Sequence, residues 1–193
     1  MAGDYVLELR DVSVRRGDRT ILGPMTFAIK PSERWVVLGP NGAGKTTTIR
    51  MLLGLIAPTS GTGTVLGHPI TEPEKYLASV GAMIEGPAFY PALTGIENLK
   101  VLATMGGIPI ERVAELIDLV GLGGRGGDKY KTYSLGMKQR LGIAAALLPN
   151  PELLILDEPT NHLDVDAREA LVQALNEYEG TVVLVSHDRH MLE

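Results

Sequence analysis

The chain has 193 residues, 45% of them apolar, which suits one compact domain with at most a subdomain. Its net charge of −5 and lack of a basic block argue against a nucleic-acid-binding surface. Cysteine is absent, which excludes a disulfide frame, a thiol nucleophile and a Cys-type zinc site. No run of 18 apolar residues and no leader-like segment is visible, so a membrane role would require docking onto something that spans the bilayer.

Residues 1–30 alternate in polarity. Tyr5–Leu9, Val12 with Val14, Ile21-Leu22 and Met25–Ile29 read as short antiparallel strands. Arg16-Gly17-Asp18-Arg19 reads as a hairpin turn between them. Trp35–Leu38 follows as a short apolar run with the pattern of a buried strand.

That strand leads into Gly39-Pro40-Asn41-Gly42-Ala43-Gly44-Lys45-Thr46-Thr47, which matches the phosphate loop G-x-x-x-x-G-K-S/T. Glycines 39, 42 and 44 permit conformations and close approaches that a Cβ would block. Successive amides can then point inward as a nest for phosphate oxygens, backed by the positive end of the next helix. Lys45 can reach the outer phosphates, and the Thr46 hydroxyl can hold Mg²⁺. The helix runs through Thr47–Leu53 and stops at Gly54.

Residues 57–63 read as a turn-rich link, Thr64–Leu66 as a short strand, and His68 beside Pro69 as a surface residue. Val80–Ile84 reads as another buried strand. Residues 86–133 carry two helical stretches, Thr94–Met105 and Pro109–Val120, the second with apolar residues at 113, 116, 117 and 120. Gly121–Tyr133 is expected to be a mobile link. A further helix runs from Ser134 to about Leu148, where Pro149-Asn150-Pro151 ends it. Leu153–Leu156 and Thr181–Val185 are buried strands flanking an amphipathic helix over Asp166–Tyr178. Apolar strands alternating with helices predict an α/β fold with a mostly parallel sheet covered on both faces.

Chemistry gathers at the strand ends. Leu153–Leu156 ends in Asp157 and Glu158, at the edge where open α/β sheets place ligands. Neighbouring side chains on a strand aim in different directions. Asp157 suits a metal role beside a phosphate loop, and Glu158 suits the base that faces an attacking water. His187, after the last strand, can reach a terminal phosphate, although a histidine there also serves structural roles. His162 and His190 read as helix-cap or surface residues. Ser134 is a natural N-cap; with the exposed amides of its helix start it also fits an anion site.

The phosphate loop, the Ser134-x-Gly136-x-x-Gln139-Arg140 helix start, Leu153–Thr160 and the strand-end His187 occur in that order. Together they resemble the nucleotide-binding domain of ATP-binding cassette (ABC) proteins, across nearly the whole chain. The resemblance implies a P-loop NTPase (RecA-like) core, an antiparallel β subdomain within 1–85, a core continuing over 141–193, and a helical subdomain inserted at 86–140. It implies ATP and Mg²⁺ bound between two copies packed head to tail. Lys45, Asp157, Glu158 and His187 of one copy would then face Ser134 and Gly136 of the other. Asn161–Asp164 matches the family's interface-crossing loop. Membrane-spanning transporter subunits are the implied partners, with no nucleic acid, and the implied location is cytoplasmic or on the cytoplasmic face of a membrane.

Some positions depart from the family pattern. Arg16 stands where an aromatic usually stacks on adenine; its guanidinium plane can also stack on a base. Leu135 and Met137 replace a usual glycine and glutamine. Glu85 replaces the glutamine that senses Mg²⁺, which makes it a candidate metal ligand. Residues 60–148 resemble bacitracin-type exporters, and 157–193 resemble the ABC-F translation-factor branch, the pattern expected of an assembled or truncated chain. Alternatives of other classes are a nucleotide-binding module without turnover and a ribosome-associated ATPase.

Overall fold

The computed structural model describes residues 4–40, 42–84 and 88–186. Strand β1 (Leu7–Arg16) and β2 (Arg19–Ile29) form a hairpin closed by Gly17 and Asp18, with Arg16 opposite Arg19. Gly17 takes φ +59, the left-handed value that such a two-residue turn requires. The pieces expected as separate short strands are thus continuous, with bulges between Leu9 and Val12 and again around Val14.

Strand β3 (Arg34–Leu38) enters the phosphate loop, and helix α1 (Lys45–Leu52) leaves it. Strand β4 (Ser60–Val65) pairs antiparallel with the other side of β1, and β5 (His68–Pro69) completes a sheet ordered β2-β1-β4-β5. The turn-rich reading of 57–63 therefore needs correction, since the strand begins at Ser60. Gly61 sits there because β1 comes too close for a side chain; a Cβ would lie 2.3 Å from the Asp11 carbonyl oxygen.

The second sheet is parallel and ordered β3-β8-β7-β6, with β6 over Val80–Met83, β7 over Leu153–Asp157 and β8 over Thr181–Ser186. Both faces are covered, and alternate residues feed opposite layers. Leu153, Ile155, Val183 and Val185 join α1 and the antiparallel sheet in one apolar cluster. Leu154, Leu156, Val182 and Leu184 join the other, with α2 (Gly95–Gly106), α3 (Glu111–Leu119), α4 (Leu135–Leu147) and α5 (Val165–Glu177). That two-sided burial is why these strands are continuous apolar runs. Among the described residues β3 is an edge strand; Trp35, Val36 and Val37 are half-buried and Leu38 is 46% exposed, so it is less buried than its composition predicts.

The stretch 121–133 is packed, contrary to the expected mobile link. Leu122, Tyr130 and Tyr133 are buried, and the carbonyls of Gly126 and Asp128 accept from the Ile96 and Gly95 amides. Its aromatic residues anchor the surrounding glycines to α2. Helix α5 is tied to β3 by Arg34, which donates to the carbonyls of Leu175 (3.0 Å), Asn176 (2.6 Å) and Tyr178 (2.7 Å). A guanidinium satisfies carbonyls that a helix C-terminus leaves open and complements its negative end.

Candidate active site

The parallel register aligns the carboxyl ends of the central strands. Leu38 lies opposite Ser186, and Asp157 opposite Val185. The phosphate loop and the acidic residues after β7 therefore open at the same edge. They line a cavity of about 500 Å³ together with Arg19, Thr20 and Ile21 of β2.

Two glycines shape the loop for different reasons. Gly44 is the N-cap of α1 at φ 92°, a conformation that demands glycine, and a Cβ there would also meet the Leu22 Cδ1 methyl at 2.7 Å and require that side chain to shift. Gly42 has φ +84 with open space beside it, so its requirement is conformational alone. Among the described residues no side chain caps the first turn of α1, and no acidic residue lies in that turn. Its amides remain available to an anionic ligand, and the helix dipole favours one. Lys45 Nζ donates to the carbonyl oxygens of Gly39 (2.5 Å) and Pro40 (3.1 Å), which holds the ammonium over the loop.

The Thr46 hydroxyl donates to Asp157 Oδ2 at 3.0 Å. This contact joins residues 111 positions apart and confirms that the hydroxyl and carboxylate share one spot. Two hard oxygens from different elements suit a small divalent cation that takes its remaining ligands from water and phosphate. Among the described residues no group of three His, Cys, Asp or Glu side chains could hold a metal.

Glu158 follows at φ +48, a left-handed backbone for a residue with a side chain. Its N–H donates to the Val185 carbonyl (2.8 Å), and its own carbonyl accepts from Asn161 N–H and from Gln139 Nε2, each at 3.1 Å. The kink turns Glu158 away from the strand direction while keeping it in the cavity wall.

Ser134 and Gly136 do not line this cavity. Ser134 is exposed, and its hydroxyl caps α4 by accepting from the Met137 amide at 3.2 Å. Gly136 rests against its own chain, where a Cβ would lie 2.8 Å from the His162 carbonyl oxygen. Leu135 is 61% exposed, whereas Met137 turns into the core. Arg16 is exposed at the hairpin end and is not in the cavity wall; Arg19, directly across from it, is. Asn41, Glu85 and His187 lie outside the described residues, as does His190, and His162 is exposed as expected.

The ABC transporter family model matches residues 22–161. The uncharacterized ABC transporter ATP-binding protein YhcH of Bacillus subtilis is 45% identical over 188 residues, covering 94% of this chain and 62% of that protein. The bacitracin transport ATP-binding protein BcrA of Enterococcus faecalis is 40% identical over 96% of this chain and 62% of its own length. The lantibiotic transport ATP-binding protein SrtF of Streptococcus pyogenes is 38% identical over 94% of this chain and 79% of its own. This chain thus spans under two thirds of YhcH and BcrA. A solved structure described as the ATP-binding subunit of an ABC transporter superposes with a TM-score of 0.85 at 32% identity, covering 94% of this chain and 79% of that one. Single relatives run along almost the entire chain, so the expected mosaic of branches gains no support. The phosphate loop, the strand-end carboxylates and these matches agree: the chain belongs to the ABC transporter family, as one of its ATP-binding domains.

Proposed function

We propose that this domain binds ATP with Mg²⁺ and hydrolyses it to ADP and phosphate, as the motor of a transporter. The observation that carries the reading is the 3.0 Å contact between Thr46 Oγ1 and Asp157 Oδ2, with Glu158 beside it in the wall of the phosphate-loop cavity. Amides of the loop and of the first turn of α1 cradle the phosphates. Lys45 leaves the Gly39 and Pro40 carbonyls and turns its ammonium to the outer phosphates. Thr46 and Asp157 would hold the cation, which would supply charge neutralisation on the phosphate oxygens. Glu158 accepts a proton from the attacking water, and His187 donates to the terminal phosphate.

The second half of the site comes from another copy. Ser134 is exposed and stands outside its own chain's phosphate cavity, which supports a role facing a partner's ATP. ATP draws two copies together head to tail, so that the Ser134 hydroxyl and α4 amides complete each site. Among the described residues no helix is long and apolar enough to cross a membrane, and partner subunits take that task. The names of BcrA and SrtF, which are for bacitracin transport and lantibiotic transport, support transport of an antibiotic as the task, with this domain on the cytoplasmic face.

Phosphate release and sedimentation of Glu158→Gln test the reading. The variant is expected to bind ATP, to form dimers with ATP and Mg²⁺, and to turn over about 10²–10⁴-fold more slowly. Unchanged turnover would remove Glu158 as the base. Phosphate release no greater than that of a Lys45→Ala control in the parent protein would leave only a nucleotide-binding module.

A further inference from the structure

Helix α4 touches the loop after β7 at two places where the backbone is strained. Glu158 and His162 both adopt left-handed conformations, at φ +48 and +65. Such geometry persists in a residue with a Cβ only when surrounding bonds over-determine it. The Glu158 N–H is held by the Val185 carbonyl of the sheet, and the Glu158 carbonyl by the Asn161 amide of the local turn. Gln139 Nε2, from a separate element, donates to the same carbonyl at 3.1 Å. One turn earlier on the same helix face, Gly136 presses against the His162 carbonyl oxygen, closely enough that a Cβ would lie 2.8 Å away. The missing side chain lets α4 approach, and the approach brings the Gln139 amide within reach of Glu158.

We infer that Gln139 is a positioning residue for hydrolysis: its side-chain amide fixes the Glu158 peptide and thereby aims the Glu158 carboxylate. The inference rests on the reading of Glu158 as the base. The Glu158 carbonyl belongs to the peptide joining Glu158 to Pro159, so a bond to it restrains rotation about the Glu158 Cα–C bond. Gln139 is absent from the cavity wall, so it acts through Glu158 and does not touch substrate from its own chain. A carboxylate displaced by a fraction of an ångström loses its alignment with water without losing its charge or the affinity of the loop for phosphate.

Gln139→Met keeps the length and helix preference of the side chain and removes the N–H donor. It is expected to lower kcat between about tenfold and about a hundredfold with the KM for ATP within about twofold of the parent. In a Glu158→Gln background it is expected to change the residual turnover by less than about twofold, because the group it aims has gone. Equal kcat in Gln139→Met and parent overturns the inference, as does an equal fall in both backgrounds. A loss expressed as raised KM, or tracking a lowered melting temperature, also overturns it in favour of a packing role. Gln139→Asn retains the amide on an arm too short to reach and serves as the test if the methionine variant does not fold. Failure of the base reading is separate: there Glu158→Gln alone leaves turnover intact, and this inference falls with it.

Discussion

Replacing Thr46 by valine tests the proposed cation site where the Thr46 and Asp157 oxygens meet. The substitution keeps a branched side chain at the start of α1 and deletes the hydroxyl that donates to Asp157 Oδ2 at 3.0 Å. Both residues are half-buried, so water moderates the bond; its net contribution is about 1 kcal/mol. At this chain length that corresponds to a fall of about 2–4 °C in Tm. The effect on ligand binding is larger. Disturbing one member of a metal site lowers metal affinity by about 10–100-fold, or about 1.4–2.8 kcal/mol. Nucleotide affinity should therefore be measured by calorimetry twice, with EDTA and with Mg²⁺. In EDTA the variant is expected to bind ATP within about twofold of the parent, because loop amides and Lys45 are untouched. The gain that Mg²⁺ brings is expected to shrink by about 10–100-fold. If Mg²⁺ strengthens binding equally in variant and parent, Thr46 is no ligand and its contact with Asp157 is structural.

Two further outcomes concern the scaffold. Gly81→Ala would place a Cβ 2.0 Å from the Ala146 carbonyl oxygen, a backbone atom of α4 that cannot swing aside; about 1–3 kcal/mol of stability should be lost, and an unchanged urea midpoint would contradict the tight β6–α4 packing. Tyr178 donates its hydroxyl to the Pro151 carbonyl, and burial above all pushes its phenol up to about 12. Below pH of about 10 both folded and unfolded forms keep that proton; between about 10 and about 12 the unfolded form sheds it first, so stability falls as pH rises. Burial also raises Tyr76, Tyr130 and Tyr133, so Tyr178→Phe should make the alkaline fall shallower without abolishing it; equal urea-midpoint losses between pH 9 and pH 11 in both proteins would refute this.

Much of the molecule is readable along the chain because its physics is local. The phosphate loop needs glycines at particular positions and a strand and helix on either side, all within about twenty consecutive residues. Continuous apolar runs at 153–156 and 181–185 announce strands buried on both faces, and the structure sends their alternate residues into two separate cores. The Ser134 cap and the Gly17-Asp18 turn are likewise set by chemistry within a few residues.

What escaped that reading depends on approach between distant segments. Gly61 looks like a turn residue until β1 is seen to pass against it. The wall of the phosphate-loop cavity includes Arg19, which only the hairpin register sets across from Arg16 and brings to the loop. Gly136 carries the family signature, but its neighbour within the chain is the His162 carbonyl, and the adjacent Gln139 reaches Glu158 from 19 residues away. Local chemistry could specify a loop for phosphate and two carboxylates at a strand end. Only parallel strand register could bring Thr46 and Asp157 to 3.0 Å, because hydrogen bonding between separate strands sets their relative height.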